Sequence, residues 1–511
     1  MRGPETDQLD SQKITAINLQ ILGRHPSVWR VANSFLHALN FSAKNAKFYA
    51  PLLVGKFGMA LALAHIWRGF VNVVMSFAFI GPRFFGDKIP TQTDILFITH
   101  LNQPASYESE TDQYFGHIPD KIALDGLTSA MVMLNQCRAR KGAIENVATS
   151  RNVPRIICAP YLSPLVEAWH FLGLLFSGIA SVGVALLTRG VTRRVGVFAG
   201  LVQASARSLV GLRIRHQILN LIEKTNPQKI VFTYEGHPWE RLVCQLVRAR
   251  FPTIELIGYQ HSVVLNGPKA MSNDVPQILT PHKLLVTSAL TADLLRDDGG
   301  IIPSKTVPVG STKFIAPSSQ QIRKSPKNLL VVPEGTPEDT LPMVEFAIGL
   351  SHILQKQGSA ITVILRLHPL LNFDWLKSHC GAAMTAPDNV IFSAQSLAED
   401  ARDAGWILYR GSTAVFTAVA FGGRPLFLEF DGDAPENDPL AMAGPYRQSV
   451  TSIEGALALM VNDQKAWQNR NEGGSFSAEQ MELVNFAANY FPPLDEIAFL
   501  QELRSSWHPN G

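Results

Sequence analysis

The chain has few of the residues that mark several common protein classes. Its 511 residues include only four cysteines, and none of them has CxxC spacing. We therefore expect no redox motif and no disulfide framework, and we interpret Cys137, Cys158, Cys244 and Cys380 as buried free thiols in a reducing compartment. HExxH, a Walker loop, GxSxG and GxGxxG are also absent, which argues against a zinc protease, a P-loop NTPase, an elbow-type serine hydrolase and a classical dinucleotide enzyme.

Charge is also scarce. Charged residues make up 17% of the chain and the net charge is only +3, so the composition gives no support for nucleic-acid binding. Met1 to Ser27 is polar and carries acidic residues, unlike a secretory signal peptide. These features predict a cytoplasmic protein.

Apolar residues are abundant, at 46%, and two long apolar segments stand out. Phe57 to Ile80 is interrupted by two basic side chains, whereas Phe171 to Leu187 is uncharged and is followed by Arg189, Arg193 and Arg194. A bilayer span needs roughly 20 apolar residues. Buried helices, helices lying in a membrane interface and true spans all remain open, and the basic flank suits anionic lipid at the cytoplasmic face of an inner membrane.

Short buried strands alternate with helices along most of the chain, which predicts two doubly wound α/β domains. The second series contains predicted strands at 328–332, 361–365, 390–392, 406–408 and 425–430. A Ser-, Pro-, Gln- and Lys-rich stretch at 316–327 is typical of a linker between the two series. The predicted regions are a helical N-terminal region at 1–90 without strands, a Rossmann-like domain at 91–315 with a helical insertion at 162–224, a second Rossmann-like domain at 328–452 and a helical tail at 453–511. We expect the two sheets to face a central cleft.

In the second domain, polar motifs follow three predicted strands. Arg366-Leu367-His368-Pro369 follows one strand, and Arg410-Gly411-Ser412-Thr413 follows another and opens a helix. A basic residue, an imidazole donor and a hydroxyl pair at such strand ends are typical of a phosphate site. Glu334-Gly335-Thr336 follows the first strand and is interpreted as part of the same nucleotide pocket. For each motif an ordinary structural turn or helix cap remains the alternative.

In the first domain, Glu235 ends a strand in Thr233-Tyr234-Glu235-Gly236-His237-Pro238-Trp239-Glu240. A carboxylate at a strand end suits a general base, and His261 at the end of the next strand is expected beside it. A capping or salt-bridged glutamate is the alternative, above all for Glu240, which is already inside the helix. Asp431-Gly432-Asp433 has the form of a metal-binding DxD motif, but its polar surroundings favour an ordinary loop. We predict no metal and no cofactor.

Together, Glu235-Gly236, Trp239-Glu240, Tyr259-Gln260-His261-Ser262, the His368-Pro369 turn and Gly411-Ser412-Thr413 resemble bacterial surface-polysaccharide glycosyltransferases of the GT-B type. The His-Pro turn and the Ser/Thr pair are similar to those of bacterial sialyltransferases and Kdo transferases. Asp94 to His100, followed by Tyr114-Phe115-Gly116, is similar to the start of a family of surface-carbohydrate biosynthesis proteins.

The resemblance implies that His368, Ser412 and Thr413 hold the phosphate of a nucleotide sugar, with a CMP-linked acidic sugar as one candidate donor, and that Glu235 is the base. The implied acceptor is a surface glycan or a lipid-linked glycan. This sequence has Glu-Gly-His-Pro-Trp where the sialyltransferases have an Asp-rich motif. A non-catalytic glycan- or nucleotide-binding scaffold and a UDP-sugar epimerase of the same fold are the alternatives.

Overall fold

The computed structural model divides into two compact units. Unit 1 comprises Met1–His261, Gly267–Thr312 and Asp495–Gly511, and unit 2 comprises Ser262–Asn266 and Lys313–Leu494. The structure describes residues 27–34, 56–79, 81–137, 152–264, 271, 275–297, 306–313, 328–335, 337–368, 371, 373–380, 387–430, 438–468 and 477–506.

Unit 1 is built on an eight-stranded sheet. Its strands are β1 Phe84–Gly86, β2 Ile95–Leu101, β3 Ser129–Asn135, β4 Arg155–Cys158, β5 Lys229–Thr233, β6 Glu255–Gln260, β7 Lys283–Val286 and β8 Thr306–Pro308. The spatial order is β1-β4-β3-β2-β5-β6-β7-β8. All neighbours pair in parallel except β1, which is antiparallel to β4. The central strands are almost wholly buried, because helices cover both faces of a parallel sheet.

The helices of unit 1 include long apolar ones and the short ones that connect strands. They are α1 Val28–Val31, α2 Lys56–Ala78, α3 Ala105–Glu108, α4 Ile118–Leu124, α5 Pro164–Leu186, α6 Gly190–Leu201, α7 Ala206–Thr225, α8 Pro238–Arg250, α9 Ala289–Asp297 and, much later in the chain, α16 Glu496–Arg504. Two helical segments, Ala60–Ala78 and Pro164–Leu186, are long and apolar enough to cross a membrane. The bent pair of α6 and α7 would add a third if it formed one span.

Unit 2 is built on a six-stranded, wholly parallel sheet. Its strands are β9 Asn328–Val332, β10 Thr362–Leu365, β11 Val390–Phe392, β12 Ala404–Tyr409, β13 Arg424–Leu428 and β14 Gln448–Val450, in the spatial order β11-β10-β9-β12-β13-β14. Its helices are α10 Pro337–Lys356, α11 Phe373–Cys380, α12 Leu397–Arg402, α13 Ala414–Ala420, α14 Ile453–Gln468 and α15 Ala478–Tyr490.

The predicted fold class, α/β with two doubly wound Rossmann-like domains, is confirmed. In each sheet the strand that comes first in the parallel series lies at the centre. The next two strands extend to one side, and the later strands extend to the other, four of them in unit 1 and three in unit 2. Unit 2 therefore has the 3-2-1-4-5-6 order of the classical Rossmann fold, and unit 1 has the same order with β8 added at one edge and the antiparallel β1 at the other.

One prediction about the first 90 residues was wrong. That region was expected to be free of strands, but Phe84–Gly86 forms β1 and pairs with β4, Phe85 lying opposite Ile157. A three-residue edge strand is too short to show an alternating pattern, and its pairing partner lies about seventy residues away in the chain. The short edge strands β8 and β14 were also not predicted.

Candidate functional site

The order of strands identifies one edge of each sheet as the place where a ligand would bind. In open α/β sheets, ligands bind outside the carboxyl ends of the strands, where the order reverses. This reversal lies between β2 and β5 in unit 1 and between β9 and β12 in unit 2. The residues that follow these four strands include Glu235 in unit 1 and Glu334 and Gly411 in unit 2, all of which the sequence had singled out.

In unit 2, Glu334 and Gly411 are in direct contact across this reversal. Glu334 follows β9 and Gly411 follows β12, and a Cβ atom added to Gly411 would overlap Glu334 Oε1 and lie 2.9 Å from Glu334 Cγ. Gly411 has φ +66°, in the left-handed region that favours glycine. The absence of a side chain at this position therefore gives the Glu334 carboxylate its space over the end of β12.

His368 joins this group from the end of β10, on the other side of β9. A Cβ atom on Gly335 would lie 2.7 Å from His368 Nδ1, so the imidazole packs directly on the backbone of the β9 turn. Burial lowers the pKa of His368, which keeps the ring neutral at pH 7, with one nitrogen a donor and the other an acceptor. Thr336 and Pro369, which were predicted to take part, lie outside the described residues.

Arg366, also at the end of β10, is engaged by unit 2 itself. Its Nη1 donates to Asp400 Oδ2 at 2.8 Å and to the carbonyl oxygen of Gln395 at 2.5 Å. The side chain is 26% exposed. The arrangement fixes the guanidinium beside α12, and binding of phosphate by Arg366 stays a prediction.

Arg410 was predicted to bind phosphate, but the structure places its guanidinium inside unit 2. Its side chain is 2% exposed, its Nε donates to Asp339 Oδ1 at 3.0 Å, and its Nη1 donates to the carbonyl oxygen of Leu428 at 2.8 Å. The guanidinium also lies over the Phe430 ring, 4.3 Å from its centroid. A buried, paired guanidinium of this kind joins α10 to the sheet, so we remove Arg410 from the candidate phosphate ligands.

Ser412 and Thr413 occupy the loop between β12 and α13, and both are partly exposed. Ser412 Oγ accepts from the N–H of Ala414 at 3.4 Å. Thr413 is the residue that precedes α13, and its hydroxyl makes no capping hydrogen bond. The two hydroxyls therefore follow Gly411 at the same sheet edge as Glu334.

In unit 1, Glu235 lies in a cluster with two histidines. His237 Nε2 donates to Glu235 Oε2 at 3.0 Å, and His261 Nε2 lies 3.6 Å from Glu235 Oε1. The side-by-side placement of Glu235 and His261 was expected from the sequence. His237 joins them because Gly236, at φ +81°, turns the chain so that residues 235 and 237 meet.

The charge states of this cluster are set by a second glutamate. Glu240 is fully buried, and its Oε2 accepts from the backbone N–H groups of Glu235 at 2.9 Å and His237 at 2.8 Å. Burial raises the pKa of Glu240 to about 7. Partial burial opposes charge on His237, but Glu240 and Glu235 outweigh it and raise its pKa to about 9. His237 is therefore a cation at neutral pH, and Glu240 has the helix-capping role that was the alternative for it.

A third histidine, His100, lies at the strand-order reversal between β2 and β5. Its Nε2 donates to Thr233 Oγ1 at 3.0 Å, and its Nδ1 accepts from the Gln136 amide at 2.8 Å. Burial, and secondarily the charge of His237, lowers its pKa to about 4, so the ring stays neutral. Tyr114 packs edge-on against both His100 and His261, with ring centroids 5.7 and 4.5 Å away.

His237, His100 and Tyr114 were not predicted as site residues. His237 lies two residues after Glu235 in the first-domain motif, with Gly236 between them, and this spacing could have identified it as a neighbour of Glu235. His100 and Tyr114 stood in the motif that resembles surface-carbohydrate biosynthesis proteins, but they come from distant segments and no spacing connected them to Glu235. Within the described residues no group of three or more His, Cys, Asp or Glu side chains could hold a metal ion, and Asp431-Gly432-Asp433 falls outside those residues.

Comparison with known proteins gave likenesses only among solved structures. No protein-family model and no curated protein matched the chain. S. aureus MnaA in a structure with UDP is 10% identical, with a TM-score of 0.47, over 82% of this chain and 99% of that one. UDP-GlcNAc 2-epimerase from Neisseria meningitidis, bound to UDP-GlcNAc, is 13% identical, with a TM-score of 0.45, over 80% and 98%.

The spinosyn rhamnosyltransferase SpnG with thymidine diphosphate is also similar. It is 13% identical, with a TM-score of 0.42, over 80% of this chain and 100% of that one. At these identities and TM-scores, none of the three bears on the chemistry of this chain. Its function therefore has to be inferred from its own residues.

Proposed function

We propose that this protein is a metal-independent glycosyltransferase of the GT-B type, which uses a nucleotide-sugar donor. The observation that carries the proposal is the convergence of Glu334, Gly335, His368 and Gly411 at the strand-order reversal of unit 2. Loops at that position bind nucleotides in Rossmann-like sheets. A carboxylate and an imidazole at the ends of neighbouring strands match the two polar parts of a nucleotide, the ribose and the phosphate.

In this proposal Glu334 accepts hydrogen bonds from the ribose hydroxyls. His368 donates to the phosphate, with the hydroxyls of Ser412 and Thr413 as further donors. Burying a neutral imidazole costs less desolvation free energy than burying a charged one. Its N–H can still donate to the negative charge that develops on the leaving phosphate. The phosphate departs with the electrons of the broken glycosidic bond, and these donors stabilise it.

The base is assigned to unit 1. Glu235 is partly exposed, with 19% of its side chain accessible, and the cation of His237 favours its ionised form. As a carboxylate, Glu235 can take the proton of an acceptor hydroxyl while that oxygen forms the new bond to the sugar carbon. His261 lies on the other carboxylate oxygen, where it can orient the base or bind the acceptor. We propose a glycan or lipid-linked acceptor of the bacterial cell surface.

Binding and turnover test the two halves of the proposal separately. We expect the purified protein to bind one of CMP, UDP and GDP in a calorimetric titration, and His368→Ala to weaken that binding. His379→Ala is the matched control, since His379 is an exposed histidine of the same unit. Equal binding of nucleotide by wild type and His368→Ala would refute the phosphate assignment.

For the base, we expect Glu235→Gln to lose transfer roughly 100-fold or more while it keeps nucleotide affinity. Glu223→Gln, at an exposed ion pair with Arg250, is the control and should keep full transfer. Transfer at the wild-type rate by Glu235→Gln would exclude Glu235 as the base. A wild type that binds nucleotide and sugar but never turns over would identify the scaffold alternative instead.

A nucleotide-sugar epimerase is the second candidate. The observation in its favour is that His237 and His261 each lie within 3.6 Å of a carboxylate oxygen of Glu235, since paired acid and base groups also suit removal and return of a proton on a sugar carbon. An epimerase changes its UDP-sugar without an acceptor and incorporates solvent deuterium. A product that forms only with acceptor, and without deuterium, would favour transfer.

A further inference from the structure

The surface formed by α2 and α5 is unusually apolar for a helix pair on the outside of a unit. Trp67 is 63%, Trp169 67% and Phe176 69% exposed. Further exposed apolar side chains on these two helices include Leu63, Phe70, Val74, Phe77, Leu165, Leu172, Ile179, Val184 and Leu186. We call this set the α2/α5 face. Soluble proteins rarely leave so many large apolar side chains exposed on two packed helices without a partner.

The spacing shows that α5 is apolar on two sides. One stripe, with Glu167, Phe171, Leu174 and Gly178 among its members, is buried against the unit. The opposite stripe includes Leu165, Trp169, Leu172, Phe176 and Ile179, again at intervals of three and four residues. A helix with large apolar side chains on its outer side as well as its inner side belongs in a protein core or in lipid, and among the described residues only the first of these stripes is buried by protein.

Charge gives the second argument. The only acidic residue in α2, α5 and α6 is Glu167, which is fully buried and paired with Arg213 at 2.6 Å. By contrast Arg68, Arg189, Arg193 and Arg194 are all exposed. Long arginine side chains can lie along an apolar surface and place their guanidinium groups among phosphates. Exposed aromatics with basic and no acidic neighbours describe a surface for anionic lipid.

The packing of α5 against α6 is also of a kind found in lipid. α5 and α6 approach so closely that a Cβ atom on Gly200 would lie 2.8 Å from the carbonyl oxygen of Gly178, and one on Gly196 would lie 2.7 Å from Ala185 Cβ. Gly196 and Gly200 form a GxxxG pair, and small residues that let backbones meet are characteristic of helices packed in lipid. The other stripe of α5 is buried by protein at Glu167, Phe171, Leu174 and Gly178, and this two-sided contact favours a helix that lies in the membrane interface.

We propose that the α2/α5 face docks unit 1 on a bilayer that contains anionic lipid, with α2 and α5 in the interface and the arginines at the lipid phosphates. This inference is independent of the proposed enzymatic activity. A bilayer is preferred over a second copy of the chain because the exposed charges described on α2, α5 and α6 are all arginines, so two copies joined here would bring positive charge against positive charge.

Vesicle co-sedimentation of the full chain tests the proposal. We expect binding to phosphatidylcholine vesicles that contain phosphatidylglycerol, and weaker binding as salt rises. Trp169→Ser with Phe176→Ser should lower the partition coefficient at least tenfold. The matched control is Leu124→Ser with Ile497→Ser, two equally exposed apolar residues of unit 1 away from this face, and it should bind like wild type.

Arg193→Gln with Arg194→Gln separates charge from apolar contact. Each arginine near an anionic surface contributes a factor of about five, so this variant should bind phosphatidylglycerol vesicles roughly 25-fold less and pure phosphatidylcholine vesicles unchanged. Absence of vesicle binding by wild type, or equal binding by the Trp169/Phe176 variant, would overturn the proposal. A third result would also overturn it: a wild type that forms dimers but does not bind vesicles, together with loss of the dimer in the Trp169/Phe176 variant. The α2/α5 face would then join two copies of the chain.

Discussion

Gly411 and Gly358 provide a matched pair of substitutions that tests the nucleotide site of unit 2. Both glycines have φ +66°. Around Gly358, at the end of α10, an added Cβ would meet nothing within 4 Å, whereas at Gly411 it would overlap the Glu334 carboxylate. Alanine at the two positions therefore imposes the same backbone conformation but displaces Glu334 only in Gly411→Ala.

The expected magnitudes follow from this difference. A left-handed alanine costs about 1–2 kcal/mol, so both variants should lose that much free energy of unfolding in urea denaturation. The clash at Gly411 is with the end of a flexible side chain, which can rotate away, and it should add little to this loss. A hydrogen bond to a charged group contributes roughly 1.5–3 kcal/mol, so moving Glu334 should weaken nucleotide binding by roughly tenfold to a hundredfold.

Isothermal titration calorimetry with the nucleotide that binds wild type measures the effect. We expect Gly358→Ala to keep the wild-type Kd and Gly411→Ala to lose affinity at similar stability. Wild-type affinity in Gly411→Ala would show that Glu334 does not contact the nucleotide. Equal weakening in both variants would show that backbone strain, and not the carboxylate, governs binding.

Two further predictions concern stability. Burial raises the pKa of Glu240 from 4.5 to about 7. Between these two pH values the folded state keeps a proton on Glu240 that the unfolded state has released. The free energy of unfolding should therefore fall by about 3 kcal/mol as pH rises from about 4.5 to 7. Glu240→Gln should remove that part of the slope in urea denaturation at pH 5 and pH 8, and an unchanged slope would contradict the assignment. Arg410→Met should lower the free energy of unfolding by roughly 3–5 kcal/mol, because Asp339 is left buried without its partner. If instead this variant unfolds like wild type but loses nucleotide, Arg410 binds phosphate after all.

The sequence was sufficient for the central strands and for the polar residues that follow them. β5 and β9 are apolar runs that end in recognisable turns, so Glu235 and Glu334 could be placed at strand ends. In a parallel sheet such ends share one edge, which also explains why the sequence groups Glu334, His368 and Gly411 at one site.

The sequence could not show where a side chain points once its strand ends. Arg410 directly precedes Gly411, yet its guanidinium turns inward because Asp339, 71 residues earlier in the chain, lies within reach. His237 was overlooked because its contact with Glu235 depends on the left-handed conformation of Gly236. Three-residue strands such as β1 are formed by their partners, so no local pattern marks them.

The return of α16 to unit 1 has a consequence for the order of folding. Phe499 packs against Phe115 and Tyr259, and Lys283 pairs with Glu502 at 2.8 Å. These partners are separated in the chain by Lys313–Leu494, the main segment of unit 2. During synthesis, unit 1 therefore waits with part of its core uncovered until the residues after 494 emerge, while unit 2 can complete itself first.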